Sequence, residues 1–162
     1  MKQLLIVRHA KSSWENFSVP DFERPLNDRG KSDAPMMAQR LLARSVKPDV
    51  LITSPAKRAR KTAELFAKAF ELPGEQIIEV AQLYEAGPEA FFNTVAGAPV
   101  SAATVMLFSH NPGITGFVNM LTDVRIDDMP TCAIFALECD IREWSEFRAA
   151  EKRFLFFDYP KG

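Results

Sequence analysis

The residues with the greatest chemical reach in this chain are Arg8-His9, Arg58 and Ser109-His110, and each follows a short apolar run. Leu4-Leu5-Ile6-Val7 stops abruptly on Arg8-His9. Val50-Leu51-Ile52-Thr53 stops on Ser54-Pro55, with Arg58 just beyond, and the run from Ala103 to Phe108 stops on Ser109-His110. If these runs are parallel strands, their carboxyl ends share one edge of a sheet, the place where open α/β sheets bind ligands. Two imidazoles and at least two guanidiniums would then converge. Such a cluster attracts a dianion, of which phosphate is the commonest. An imidazole held there is also a competent covalent nucleophile toward phosphorus. His9 and His110 are the only histidines and have no ligand-like spacing, so no metal site is expected.

The elements that must position these residues can be read from the hydrophobic pattern. Leu4–Val7 is apolar without alternation, the pattern of a strand buried on both faces at a parallel-sheet centre. Residues 12–27 are polar, contain proline and lack periodicity, which predicts a long loop, and such loops are usually functional or disordered. Met36, Met37, Leu41 and Leu42 predict a helix over 28–45, with Pro35 in or near its first turn. Pro48–Thr53 reads as a strand. Ser54-Pro55 then reads as N-cap and first residue of a helix to about Phe70, with Ala59, Ala63, Phe66, Ala67 and Phe70 as its apolar stripe. Gln76–Val80 predicts a strand, 89–96 a short helix and Ala103–Ser109 a strongly buried strand. Asn111-Pro112 reads as a second N-cap and first helical residue, ahead of Ile114, Phe117, Val118 and Leu121. Cys132–Cys139 and Arg153–Phe157 read as two last strands, suited to antiparallel edge positions. The alternation predicts an α/β fold, a three-layer α/β/α sandwich on a mostly parallel sheet.

Composition sets the outer bounds. A chain of 162 residues with no repeat, low-complexity tract or linker is expected to form a single domain over 1–162. Its 47% hydrophobic and 25% charged content is that of an ordinary soluble protein. A net charge of -1 supplies no global field for nucleic acid or membrane. The basic run Lys57-Arg58-Ala59-Arg60-Lys61 has no interleaved aromatic residue, so nucleic-acid binding is not expected either. No apolar stretch approaches the roughly 20 residues of a membrane helix, and the first residues lack a signal-peptide pattern. A cytoplasmic monomer is the expectation. Cys132 and Cys139 lie seven apart, an odd spacing that puts them on opposite faces of a strand as free buried thiols.

Four segments carry a resemblance: Arg8-His9-Ala10-Lys11; Arg24-Pro25-Leu26 with Gly30 four residues on; Ser54-Pro55-x-x-Arg58-Ala59-x-x-Thr62-Ala63; and Ser109-His110-Asn111-Pro112. In this order, over about residues 3–120, they resemble the histidine phosphatase (phosphoglycerate-mutase-like) superfamily. The short chain, the RHAK form and the Arg-Pro-Leu-x-x-x-Gly segment are most similar to its small SixA-type phosphohistidine phosphatase branch. Larger members carry a mid-chain insertion that finds no room here.

The resemblance implies a phosphoglycerate-mutase-like fold and no cofactor. It implies that His9 is the nucleophile, forming a phosphohistidine that water then cleaves. Arg8 and Arg58 would bind phosphate oxygens and neutralise developing charge, and His110 would be a second phosphate ligand. Glu85 falls about where larger members place an acidic proton donor; the other reading is an ordinary loop carboxylate. Arg24 either orders the long loop over the pocket or pairs with Asp21 or Glu23. Ser12 either lines the pocket mouth or stays solvated, and Trp14 and Phe17 either anchor the loop or offer an aromatic surface to a substrate.

The function expected is a metal-independent phosphatase that frees inorganic phosphate from a phosphohistidine on a partner protein. The alternatives are a small-molecule phosphoester phosphatase of the same superfamily and a catalytically silent phosphate-binding module. The silent module is disfavoured because His9 and both arginines are present. A mutase is disfavoured because re-delivery of a phosphoryl group needs a closed, water-poor site.

Overall fold

The computed structural model describes residues 1–161. The N-terminal apolar run forms strand β1 (Lys2–Arg8). It lies inside a six-stranded sheet with β2 (Val50–Thr53), β3 (Ile77–Glu79), β4 (Thr104–Ser109), β5 (Ile134–Cys139) and β6 (Arg153–Asp158), in the order β3-β2-β4-β1-β5-β6. The first four in that order are mutually parallel, whereas β5 runs antiparallel to β1 and β6 antiparallel to β5.

Burial on both faces explains why β1 and β4 are unbroken apolar runs. On one face Leu5, Val7, Met106 and Phe108 pack under helices α1 (Asp28–Ala43) and α2 (Lys57–Phe70), whose Met37, Leu41, Phe66 and Phe70 close the layer. On the other face Leu4, Ile6, Ile52 and Leu107 meet Phe91 of α3 (Pro88–Ala96), Phe117 of α4 (Gly113–Val118) and Trp144. Each such side chain contributes about 1.5–3 kcal/mol when fully buried, and the result is the predicted three-layer α/β arrangement. The two thiols are free and buried, Cys132 in one core and Cys139 in the other. Among the described residues no helix is long and apolar enough to cross a membrane.

Three local expectations are corrected. Pro35 lies inside α1 and not in its first turn. The helix begins at an Asn27 cap, whose side chain accepts the Gly30 N–H at 2.9 Å. Burial of Ala34, Met37, Ala38 and Leu41 sustains the helix past the N–H that proline lacks. Ser54-Pro55 does not start α2. The sheet ladder extends one step further, Ser54 N–H to Phe108 O at 3.0 Å, so the turn falls at Pro55-Ala56 and Ala56 is the cap. Asn111-Pro112 is likewise not a cap followed by a first helical residue. Pro112 occupies the cap position, and Asn111 instead accepts from the Thr115 hydroxyl and donates to Asp128 and to the Met129 carbonyl.

The 12–27 segment is an ordered loop closed by a Ser12–Leu26 bridge, and it contains a short 3-10 turn at Asp21–Glu23. Gly30 lets α1 press against this loop's root: a Cβ there would lie 2.1 Å from the Lys11 carbonyl oxygen. That close approach explains a glycine in the first turn of a helix, where the residue is otherwise unfavourable.

Candidate active site

Strand register brings the chemistry-bearing residues together. Arg8 pairs with Ser109 across β1 and β4, and Thr53 pairs with Phe108 across β2 and β4. The three parallel strands therefore end level, and His9, Ser54 and His110 emerge side by side. The His9 and His110 ring centroids are 5.1 Å apart. Arg58 reaches the same place from the first turn of α2. Thr62 sets its approach, since that buried hydroxyl accepts the Ala10 N–H at 3.0 Å and donates to the Arg58 carbonyl at 2.7 Å. His9, His110 and Arg58 line one cavity of about 890 Å³, together with Arg8, Arg24, Ser12, Lys11 and Glu85, while Ser54 lies behind it.

The two imidazoles are prepared differently. His9 Nδ1 lies 2.7 Å from the Ala10 carbonyl, which can only accept, so the proton sits on Nδ1 and Nε2 keeps its lone pair. Arg58 Nε lies 3.4 Å from that Nε2. Burial, reinforced by His110, Arg58 and Arg8, holds the His9 pKa well below the usual histidine value, although its bond to Ala10 opposes the shift. His110 Nε2 lies 2.8 Å from the Ser54 hydroxyl, and its Nδ1 is buried without a protein partner. Burial and then Arg58 lower its pKa to about 3. Both rings are neutral at pH 7.

Arg8 donates from Nη1 to the Met129 carbonyl at 2.8 Å, while its buried Nε is unpartnered. Arg58 donates to the Asp21 carbonyl at 2.6 Å and to the Asp21 carboxylate at 3.0 Å. The same carboxylate accepts from the Tyr84 hydroxyl at 2.6 Å and from Arg24 Nε at 3.1 Å. Burial alone would raise the Asp21 pKa, but bonds from Tyr84, Arg58 and Arg24 bring it down to about 2.

Arg24 does both things weighed for it. It pairs with Asp21, and it orders the loop by donating to the Ser12 hydroxyl at 2.8 Å while stacking 3.5 Å from the Trp14 ring centre. Ser12 is buried beneath it and is not a solvated hydroxyl. Trp14 anchors Arg24 yet stays 63% exposed, and Phe17 is 92% exposed. Glu85 lines the cavity at an exposed, left-handed position (φ 57°) with no side-chain hydrogen bond. Among the cavity residues that the sequence did not place at the site are Asp21, weighed only as a partner of Arg24, and Tyr84. Asp21 sits in an aperiodic loop, and Tyr84 had no motif of its own beside Glu85.

The chemistry available is that of an oxyanion site. Three guanidiniums and two neutral imidazoles face one cavity, and one ring nitrogen there is free to attack. Among the described residues no group of three or more histidine, cysteine or acidic side chains could hold a metal ion.

Comparison with known proteins agrees with this geometry. The sequence model of the histidine phosphatase superfamily (branch 1) matches residues 4–91, which include Arg8, His9, Arg58 and Glu85. A chloroplastic, uncharacterized protein of Arabidopsis thaliana is 27% identical over 155 residues, 90% of this chain and 70% of that protein. In solved structures, SixA from Agrobacterium tumefaciens is similar with a TM-score of 0.82 and 24% identity, over 98% of each chain. The protein histidine phosphatase SixA complexed with tungstate is similar with a TM-score of 0.79 and 22% identity, over 98% of this chain and 97% of that one. These likenesses show the phosphoglycerate-mutase-like fold. With more than half of its length matched and the oxyanion cavity at the carboxyl edge of the sheet, the chain belongs to the histidine phosphatase superfamily, and phosphatase hydrolysis is the class of activity that membership supports.

Proposed function

We propose that the protein is a SixA-type phosphohistidine phosphatase that acts through a phosphohistidine on His9. His9 Nε2 attacks the phosphorus of a phosphohistidine on a partner protein, and a P–N bond to His9 forms as the P–N bond to the substrate imidazole breaks. That imidazole, protonated on its other nitrogen, leaves neutral. Water then attacks the same phosphorus, the bond to His9 breaks, and inorganic phosphate departs. Arg8, Arg58 and His110 hold the non-bridging oxygens and offset the charge that builds on them. A guanidinium about 4 Å from an oxyanion contributes on the order of 4 kcal/mol at an effective dielectric of 20. Arginine alone thus offers the right scale of stabilisation, and the mechanism needs no metal.

The observation that carries the proposal is His9, a cavity-lining residue whose Nδ1 is held by the Ala10 carbonyl so that Nε2 keeps its lone pair, beside an Arg8 Nε and a His110 Nδ1 that lack partners among the described residues. A protein substrate is favoured by the rim. Trp14, which lines the cavity, is exposed, and Phe17 and Phe22, exposed on the same 12–27 loop, do not line it, so a small ester inside the cavity has no use for those two. The name of the tungstate-bound neighbour, a protein histidine phosphatase, points the same way.

The test is phosphate release in the presence of EDTA, measured for wild type and His9→Ala. The substrates are a phosphohistidine-bearing protein, p-nitrophenyl phosphate and a panel of metabolite phosphoesters. Release is expected from phosphohistidine and lost in the variant. Faster release from one small ester would move the substrate class to metabolites. No release from any substrate, with phosphate still bound, would sink the enzymatic reading.

A further inference from the structure

We infer that Ser54 is a positioning residue for His110: its hydroxyl donates to Nε2 and so holds the imidazole in the Nδ1–H form, presenting that N–H to a phosphoryl oxygen. The inference rests on the phosphatase reading and deepens it.

Ser54 is fully buried just beyond β2, and its backbone is fixed by the N–H bond to Phe108 O that extends the sheet ladder. Its Oγ already accepts the Ala56 N–H at 3.2 Å and lies 2.8 Å from His110 Nε2. A serine hydroxyl carries one hydrogen. Among the described residues, His110 Nε2 is the neighbour of Oγ that can take it. A proton on Nε2 would instead strand the serine hydrogen in a buried place without an acceptor, which is costly.

The ring is neutral, since burial and Arg58 lower its pKa to about 3, so it carries a single N–H and that N–H falls on Nδ1. Nδ1 is the buried nitrogen with no protein partner, on a ring that lines the cavity. The opposite tautomer would oppose a nitrogen lone pair to an oxygen lone pair of the phosphoryl group. A neutral histidine in water prefers Nε2–H, so the working form must be imposed, and Ser54 is placed to impose it. The serine of the Ser54-Pro55 segment thus has a use other than the helix cap its sequence suggested.

Nitrogen-15 spectra of the histidine-labelled full chain test this. Two histidines are present, and His9→Gln assigns the remaining signals to His110. In wild type, His110 Nε2 is expected to read as unprotonated and Nδ1 as protonated. In Ser54→Ala the population is expected to move toward Nε2–H, with kcat for phosphohistidine hydrolysis falling by about 10–100-fold, the scale on which loss of the orienting partner acts for a metal-held imidazole. Ser54→Thr keeps the hydroxyl and is expected to keep the tautomer. A protonated Nε2 in wild type, or an unchanged tautomer in Ser54→Ala, overturns the assignment. The wild-type spectrum, assigned through His9→Gln, needs no substitution at Ser54, so it decides even if Ser54→Ala fails to fold. A wild type with the assigned tautomer that hydrolyses no substrate leaves the Ser54 assignment standing and overturns the phosphatase reading alone.

Discussion

In the proposed mechanism His9 attacks phosphorus only while Nε2 keeps its lone pair, and two features preserve it: the Nδ1 bond to Ala10 and burial beside His110 and the guanidiniums. The pH dependence follows. A histidine at its ordinary pKa near 6.5 would lose about tenfold in its unprotonated fraction between pH 7.5 and 5.5. Here the pKa lies well below that value, so kcat/KM corrected for the substrate's own ionisation is expected to stay level, within about twofold, over this range. A tenfold fall centred near pH 6.5 would contradict it. Glu85 yields a second expectation. It is exposed and has no bond to orient it, and a departing imidazole carries its own proton. Glu85→Gln is therefore expected to change phosphohistidine turnover by less than about threefold, whereas a positioned general acid would contribute about 10²–10⁴-fold. Rapid-quench or steady-state phosphate release separates the two.

The parallel strands place these residues level with one another, but α2 places Arg58, and Thr62 couples the two. With one hydroxyl it takes the Ala10 N–H and donates to the Arg58 carbonyl, tying the loop after β1 to the first turns of the helix. Thr62→Val keeps the shape and leaves the Ala10 N–H buried without an acceptor. It is expected to cost about 1–3 kcal/mol in urea unfolding and to lower kcat/KM through a displaced Arg58. An unchanged unfolding midpoint would show that Thr62 is not the tie. These helices were legible in the sequence because their apolar stripes repeat at helical spacing. The starts of α2 and α4 were not. Whether Ser54 capped a helix or extended a strand depended on the Phe108 carbonyl, which comes from a distant segment.

The buried imidazoles also set how the whole molecule responds to acid. Both have folded pKa values below the unfolded value near 6.5, His110 at about 3. In the window below pH 6.5 the unfolded chain therefore binds more protons than the folded one, and stability falls as pH falls. The Asp21 carboxyl, held to about 2, also favours the folded state, but that contribution is lost only below its ordinary value near 4. The urea midpoint is expected to decrease steadily from pH 7 to 5, and His110→Asn is expected to flatten that slope. A midpoint that holds or rises on acidification would contradict the burial of neutral imidazoles. The same balance explains an oxyanion site in a chain of net charge -1: the positive charge is local, gathered at one sheet edge.

By itself the sequence determined the α/β class, most of the strand and helix pattern, and, given parallel strands, an expected meeting of Arg8, His9, Arg58 and His110. These follow from periodicity and from polar residues at the ends of buried runs, which are local properties of the chain. The tertiary structure alone decided what joins those residues. It brought Asp21 from the long loop onto Arg58 and Tyr84, paired Ser54 with His110, and joined Thr62 to Ala10. These contacts link segments distant in sequence through directional hydrogen bonds. Hydrophobic spacing carries no trace of such partners, and only the packed chain specifies them.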